Sequence, residues 1–184
     1  LGGFLVTGSA NGFNQIMERE LDKLMDRTQS RPLPDTRMSI NEALILCIVT
    51  GLMGVFILGY FMNMACAILG ILAIVLYTIA YTPMKRKSPI AVFIGAIPGA
   101  IPPLLGWVAA TGNFNTAALL LFAIQFLWQF PHFWAIAWVL DDDYKKAGFN
   151  LLPTGKRDKG SAMQTVLYTI SLIPVAVMPW VFGV

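Results

Sequence analysis

Residues 40–81 read INEALILCIVTGLMGVFILGYFMNMACAILGILAIVLYTIAY. Crossing the hydrocarbon of a bilayer takes ~20 apolar residues at about 1.5 Å of helix rise per residue. This run is about twice that length, and its only ionisable side chain, Glu42, stands at its start. Asn63 lies near its middle, so two spans joined by a tight turn around Tyr60–Met64 are expected. Outward from there, Pro89–Ala110, Thr116–Leu140 and Ser161–Val184 each fit one further span. Leu1–Phe13 reads as the tail of another. A chain that is 57% hydrophobic and 12% charged departs from soluble composition in the same direction. The fold class is therefore all-α, a multi-pass transmembrane helical bundle of about five full spans plus the end of one more. The chain begins without Met and stops inside an apolar run, so it is read as a fragment, one domain truncated at both ends.

Charge decides the topology. Asn14–Ser39 carries Arg19, Lys23, Arg27, Arg31 and Arg37; Thr82–Ser88 carries Lys85, Arg86 and Lys87; Asp141–Gly160 carries Lys145, Lys146, Lys156, Arg157 and Lys159. Together these hold all 13 basic residues, and all 10 acidic residues belong to the same side. The intervening connections, near Asn63 and at ATGNFNT (110–116), are neutral. Alternate connections share a side of a membrane, and the positive-inside rule makes the charged side cytoplasmic. The empty midplane argues against an ion-coupled transporter. Nothing in the pattern suggests nucleic acid as a partner. Cys47 and Cys66 fall inside spans without ligand-spaced companions and read as small packing residues. Gly95 and Gly99 have small-xxx-small spacing, and Pro98, Pro102 and Pro103 kink the same span.

Two acidic patches lie on the charged side. In NQIMERELDKLMDRTQSRPLP (14–34), Asn14, Glu18 and Asp22 recur at i, i+4 and i+8 and form one polar stripe, continued by Asp26. Arg27 and Arg31 follow, and Pro32 is expected to stop the helix. Taken alone, such a run reads as a solvated connector. The second patch is Asp141–Asp142–Asp143–Tyr144, expected at the C-terminal end of a span, where neighbouring carboxylates and the macrodipole both disfavour charge. Mg²⁺ takes oxygen ligands from one or two carboxylates and completes its shell with water and phosphates. Two facing patches suit a diphosphate held through Mg²⁺, with Arg27, Arg31, Lys85, Arg86, Lys87, Lys145 and Lys146 covering the remaining charge. A lipid tail would then run into the bundle, and ionisation of an allylic diphosphate is the reaction expected.

Three blocks carry a resemblance: NxxxExxxDxxMxRTxxRPLP (14–34); YTPMKRKSP (81–89) followed by IGAIPGAIPPLLGW (94–107); and WQFPHFW (128–134) followed by DDDYKKAGFNLLP (141–153). In this order, across essentially the whole chain, they resemble the haem O synthases, the protohaem IX farnesyltransferases among UbiA-type intramembrane prenyltransferases. The resemblance implies a nine-helix bundle, with the first, eighth and ninth helices outside this chain. It implies Mg²⁺-dependent transfer of farnesyl from farnesyl diphosphate to a vinyl group of haem B, with hydration, in a bacterial inner membrane. Haem A synthase or oxidase assembly proteins are implied as partners beside the lipid bilayer. Asn14, Glu18 and Asp22 match the first acidic motif, and Asp143 and Tyr144 the Asp-Tyr pair of the second. The metal set it implies is Asn14, Glu18, Asp22, Asp142 and Asp143. Glu18 stands where Asp is commoner. The wider DxxxD pattern is absent because Lys145 follows Asp141 by four residues, which leaves open which of Asp141, Asp142 and Asp143 is the ligand.

His132, the only histidine, lies nine residues before Asp141, roughly 13 Å down a helix. It reads either as a satisfied structural histidine or, in a haem-modifying enzyme, as a haem contact, axial ligand or proton-transfer group. Gln129 and Trp128 are weaker candidates for the same cavity. Two other readings stand beside the first: a UbiA-type enzyme with an aromatic or quinone-precursor acceptor, and a non-catalytic haem-handling membrane protein.

Overall fold

Side-chain caps set where the helices begin. Ser39 and Glu42 form a reciprocal capping box: Ser39 Oγ accepts the Glu42 N–H, and Glu42 Oε2 accepts the Ser39 N–H at 2.8 Å. Asn63 Oδ1 accepts the Cys66 N–H at 2.9 Å, while Nδ2 donates to the Val108 carbonyl at 3.1 Å on another helix. Asn115 and Asp158 cap two further helices. The computed structural model describes residues 1–183, and among these every regular element is helical. They are α1 (Gly2–Asp22), α2 (Ile40–Phe61), α3 (Met64–Val75), a π-helical segment (Leu76–Tyr81), α4 (Thr82–Met84), α5 (Ala91–Thr111), α6 (Thr116–Val139), α7 (Asp141–Lys146) and α8 (Lys159–Val181).

Five helical stretches are long and apolar enough to cross a membrane: Ile40–Phe61, Met64–Met84, Ala91–Thr111, Thr116–Val139 and Lys159–Val181. They match the expected spans, the tight turn falling at Met62–Asn63; Val184, the last residue of the expected final span, lies outside the described residues. Neighbours in sequence are neighbours in space, α1 on α2, α2 on α3, α3 on α5, α5 on α6 and α6 on α8. The α1–α2 crossing is tight. Ser9 Oγ donates to the Cys47 carbonyl at 2.8 Å, and Cys47 and Cys66 are both buried free thiols. A Cβ on Gly54 would sit 2.9 Å from the Gly2 carbonyl oxygen and from the Val6 nitrogen. Because those atoms are backbone, Gly54→Ala must separate the two helices, and a loss of about 1–3 kcal/mol is expected. Thermal unfolding in a fixed detergent checks this.

Two expectations are corrected. The helix of the first charged stretch ends at Asp22, ten residues before Pro32. The Thr28 hydroxyl donates to the freed Asp22 carbonyl at 2.9 Å, and Met25 turns inward onto Ala147 and Phe149. Burial of Met25 outweighs continuation of the helix, so Asp26, Arg27 and Arg31 leave the stripe and fold over its end. The three aspartates of the second patch do follow the C-terminal end of the α6 span, but they open a new helix rather than close the old one. The chain breaks at Leu140 and restarts, so Asp141, Asp142 and Asp143 occupy the first turn of α7, where the helix dipole favours anions.

Candidate functional site

The three charged connections converge at one end of the bundle. Glu18 on α1 accepts from Lys85, just beyond α4, with Oε2···Nζ 3.0 Å and both side chains buried. Asp22, with 0% exposure, takes Arg31 Nη1 on Oδ2 at 2.9 Å. The other oxygen of each carboxylate, Glu18 Oε1 and Asp22 Oδ1, is buried with no protein partner. Asn14 commits its amide nitrogen to Thr82 Oγ1 at 3.1 Å, which leaves its carbonyl oxygen as the free end. Burial pushes the Lys85 ammonium below its ordinary value, and the Glu18 carboxylate opposes that shift. The Lys85 ammonium also lies 4.7 Å from the Tyr81 ring centroid.

These groups line a polar cavity of about 180 Å³, with Asn14, Glu18, Arg27, Arg31, Lys85 and Tyr144 in its wall. Tyr77, Tyr81, Tyr144 and Leu151 are shared with a throat of about 120 Å³ that also touches Gly95, Gly99 and Gln129. Tyr77 and Gly99 are shared again with an apolar cavity of about 380 Å³ between α1, α3 and α5. A charged mouth, an aromatic throat and a greasy chamber are thus stacked down the bundle.

The throat has a local cause. Pro83 lacks an N–H, and its ring excludes the Ile79 carbonyl, so the preceding turns widen into the π-helical segment. Thr82 satisfies the Tyr77 carbonyl with both its N–H and its hydroxyl, the latter at 2.8 Å. Opposite, Gly95 and Gly99 of α5 make room for throat residues. A Cβ at Gly95 would lie 2.6 Å from the Tyr81 ring, and one at Gly99 would lie 2.0 Å from Gln129 Oε1. Gln129 Nε2 donates to the Ala96 carbonyl at 2.9 Å in this proline-rich helix.

The three aspartates of the second patch clasp the loop after α1 and do not line the polar cavity, although Tyr144 beside them does. Asp141 is buried between Lys145 Nζ at 2.6 Å and Arg157 Nε at 3.0 Å. Asp142 is exposed and pairs with Arg157 Nη2; that guanidinium holds its carboxyl below the ordinary range. Asp143 accepts the backbone N–H groups of Asp26 at 2.8 Å and Arg27 at 3.5 Å, and Lys146 bridges it to Asp26. Burial would raise the Asp143 pKa, but these donors outweigh it and hold the carboxyl below its ordinary value of 3.8. Burial raises the Tyr144 phenol, although the Arg27 guanidinium, 5.8 Å from the ring centroid, opposes that shift. A carboxyl held low in the fold stabilises above the unfolded value and loses that contribution as pH falls through the folded value. The clasp between α7 and residues 26–27 should therefore stay closed from neutral pH to below 3.8 and then open. In metal-free buffer, amide protection at 26 and 27, corrected for intrinsic rate, should drop there, and Asp143→Ala should remove the protection already at neutral pH.

Of the residues singled out in the sequence, Asn14, Glu18, Arg27, Arg31, Lys85 and Tyr144 meet at the polar cavity, with Asp22 behind Arg31. Arg86 and Lys87 are exposed outside it. Lys145 and Lys146 are used in the α7 ion pairs. His132 and Trp128, one turn apart, stack at 4.4 Å on an exposed face of α6, where His132 lines a separate groove with Ile136 and Leu140. Gln129 and Phe133, also one turn apart, face the throat instead. Sequence reasoning missed Tyr77, Tyr81, Met25 and Thr82. The spacing Tyr77–Tyr81–Lys85, which puts two tyrosines one turn apart ahead of the basic loop, was the available signal.

The UbiA prenyltransferase family model matches residues 1–184 of the chain. The chain is 54% identical to the protoheme IX farnesyltransferase of Christiangramia forsetii, over all of this chain and 61% of that relative. It is 53% identical to the one from Flavobacterium psychrophilum, over 97% of this chain and 59% of the relative. It is 52% identical to the one from Cytophaga hutchinsonii, over 100% of this chain and 64% of the relative. The chain thus spans about three fifths of the length of these curated relatives. No solved structure matches it. With a match along its whole length and a helical bundle whose charged loops converge on one mouth, the chain belongs to the UbiA prenyltransferase family.

Proposed function

We propose that the protein is a haem O synthase, transferring farnesyl from farnesyl diphosphate to a vinyl group of haem B. The observation that carries this is the stack of a charged mouth with unpartnered carboxylate oxygens on a tyrosine throat and an apolar chamber. The protoheme IX farnesyltransferase relatives support the acceptor and donor.

Glu18, Asp22 and the Asn14 carbonyl offer the hard oxygen donors that Mg²⁺ takes, and Glu18 Oε1 and Asp22 Oδ1 are buried without another partner. Among the described residues no three acidic, histidine or cysteine side chains form a metal cage, so an ion here would need water and phosphate oxygens to complete its shell. Bound there, Mg²⁺ neutralises charge on the departing diphosphate. Lys85, Arg27 and Arg31 orient the diphosphate by charge-assisted hydrogen bonds. The rings of Tyr77, Tyr81 and Tyr144 face the allylic carbon, where positive charge develops, and stabilise it through their π faces. The C1–O bond of farnesyl diphosphate breaks and diphosphate leaves with the electron pair. The terminal vinyl carbon of haem then bonds to C1, and water adds hydroxyl to the inner vinyl carbon with loss of a proton. His132 and Trp128 stack on an outward face whose groove shares no residue with the throat, so neither is given a role in the bond-forming step. Asp143, through the backbone of residues 26–27, acts as a positioning residue. The charged end is assigned to the cytoplasmic face of a bacterial inner membrane, and handover of haem O to haem A synthase or oxidase assembly proteins belongs to the same proposal.

Incubating the intact protein in membranes with haem B, farnesyl diphosphate and Mg²⁺ should yield a haem heavier by one farnesyl group and one hydroxyl group. Prenylation of an aromatic acid with none of haem B would replace this reading with an enzyme for another acceptor. No prenyl transfer from a folded preparation would leave a haem-handling protein.

A further inference from the structure

One face of α1 runs unbroken through Gly3, Thr7, Asn11, Asn14, Glu18 and Asp22, because steps of three and four residues stay on one side of a helix. Asn14 and Glu18 belong to the polar cavity, whereas Gly3, Thr7 and Asn11 line the apolar chamber. From Asn11 to Gly3 the helix descends roughly 12 Å. The other two walls end at nearly the same depth. Tyr77 to Gly70 on the α3 side and Pro98 to Leu105 on α5 each descend roughly 10 Å. Leu105 packs against a buried core of Val6, Leu58, Cys66, Leu104, Val108 and Ala118, of which Leu58, Cys66 and Val108 lie farther toward the neutral end of their helices. Close-packed core does not yield to a longer ligand without cost.

We propose that the depth from the tyrosine throat to Leu105 is a ruler selecting a fifteen-carbon prenyl chain, with Thr7 and Leu105 as the residues that set it. This rests on the reading above that the stacked cavities receive a prenyl diphosphate. An extended carbon chain advances about 1.25 Å per bond, given bonds near 1.5 Å. The main chains of geranyl, farnesyl and geranylgeranyl therefore reach roughly 9, 14 and 19 Å. With the first three or four carbons in the throat, the remainder of farnesyl matches the chamber. Geranyl leaves the lower part unfilled, and geranylgeranyl overruns the floor. Thr7 sits one turn above Gly3, about 6 Å off the floor; it lines the chamber and is an exposed residue. A larger side chain there blocks the lower half without touching the α1–α2 contact. Leu105 closes the bottom, so shortening it deepens the chamber.

The test measures binding of inorganic pyrophosphate and of geranyl, farnesyl and geranylgeranyl diphosphates to the intact protein in lipid nanodiscs with Mg²⁺, by calorimetry. The unsubstituted protein should bind farnesyl diphosphate tightest. Thr7→Phe should weaken farnesyl diphosphate at least about tenfold and leave geranyl diphosphate and pyrophosphate within about twofold, since each CH₂ withdrawn from apolar contact costs severalfold in affinity. Leu105→Ala should shift preference toward geranylgeranyl diphosphate by a similar factor. Should Leu105→Ala not fold, Gly3→Leu serves instead, since a Cβ there meets nothing within 4 Å; it should weaken farnesyl more than geranyl diphosphate. Unchanged chain-length ratios in folded variants that still bind pyrophosphate overturn the ruler and leave the diphosphate site standing. Failure of the unsubstituted protein to bind pyrophosphate or any prenyl diphosphate overturns the site and the ruler together.

Discussion

Asp22→Asn should leave the bundle folded and lower prenyl transfer by about 10²–10³-fold, the range found when one preorganised electrostatic contact to a transition state is removed. Asp22 is fully buried at the end of α1, with Oδ2 on Arg31 at 2.9 Å and Oδ1 facing no protein donor. The amide keeps the volume and an oxygen for Arg31, so packing survives while the negative charge is lost. Asp22→Ala is the harsher change because Arg31 loses its counter-ion. Turnover of the folded variant, its melting temperature and the Mg²⁺ concentration for half-maximal rate decide the matter. Full activity with an unchanged Mg²⁺ requirement would make Asp22 only the anchor of Arg31.

The second large effect concerns the Lys85–Glu18 pair. Lys85→Met leaves a buried carboxylate without its cation, and removing one partner of such a pair costs about 3–5 kcal/mol. Glu18→Gln in the same chain should recover most of that stability, because the charge left behind is then gone. Neither Lys85→Met nor the double variant should regain prenyl diphosphate binding, since the ammonium in the cavity wall is missing in both. Arg86→Ala, one residue along but exposed, should change stability and diphosphate affinity little. Denaturation of the single and double variants, with a pyrophosphate titration of each, separates the stability effect from the binding effect. Equal losses at Lys85 and Arg86 would mean that the basic loop acts as a diffuse charge.

Much of the architecture was legible because a bilayer admits few solutions. Apolar length sets the spans, and the placement of all 13 basic residues in alternate connections sets which ends face together. Asn14 and Glu18 at helical spacing, the basic residues of YTPMKRK and the three-aspartate run all marked the correct end of the bundle. Two features misled. A helix continued to Pro32 ignores Met25, whose burial against Ala147 and Phe149 depends on a segment more than a hundred residues away. The aspartates do stand at a span terminus, but their place in the first turn of a new helix was hidden because a helix that breaks at Leu140 and restarts carries no Pro or Gly to announce it.

By itself, then, the sequence determined the class of fold, the sidedness of its charge and the residue types gathered at one mouth, since these follow from hydrophobic length and charge, which are local properties. Only the tertiary structure decided which charges share the cavity. It sets Lys85 on Glu18 and Arg31 on Asp22, turns Asp141–Asp143 into a clasp over residues 26–27, and sends His132 to a different face from Gln129. Each ion pair must offset the desolvation of its partners, and that balance depends on distances between segments far apart in the chain. The throat was hidden for the same reason. Tyr77 and Tyr81 become a wall only where Pro83 widens the helix and Gly95 lets a ring approach.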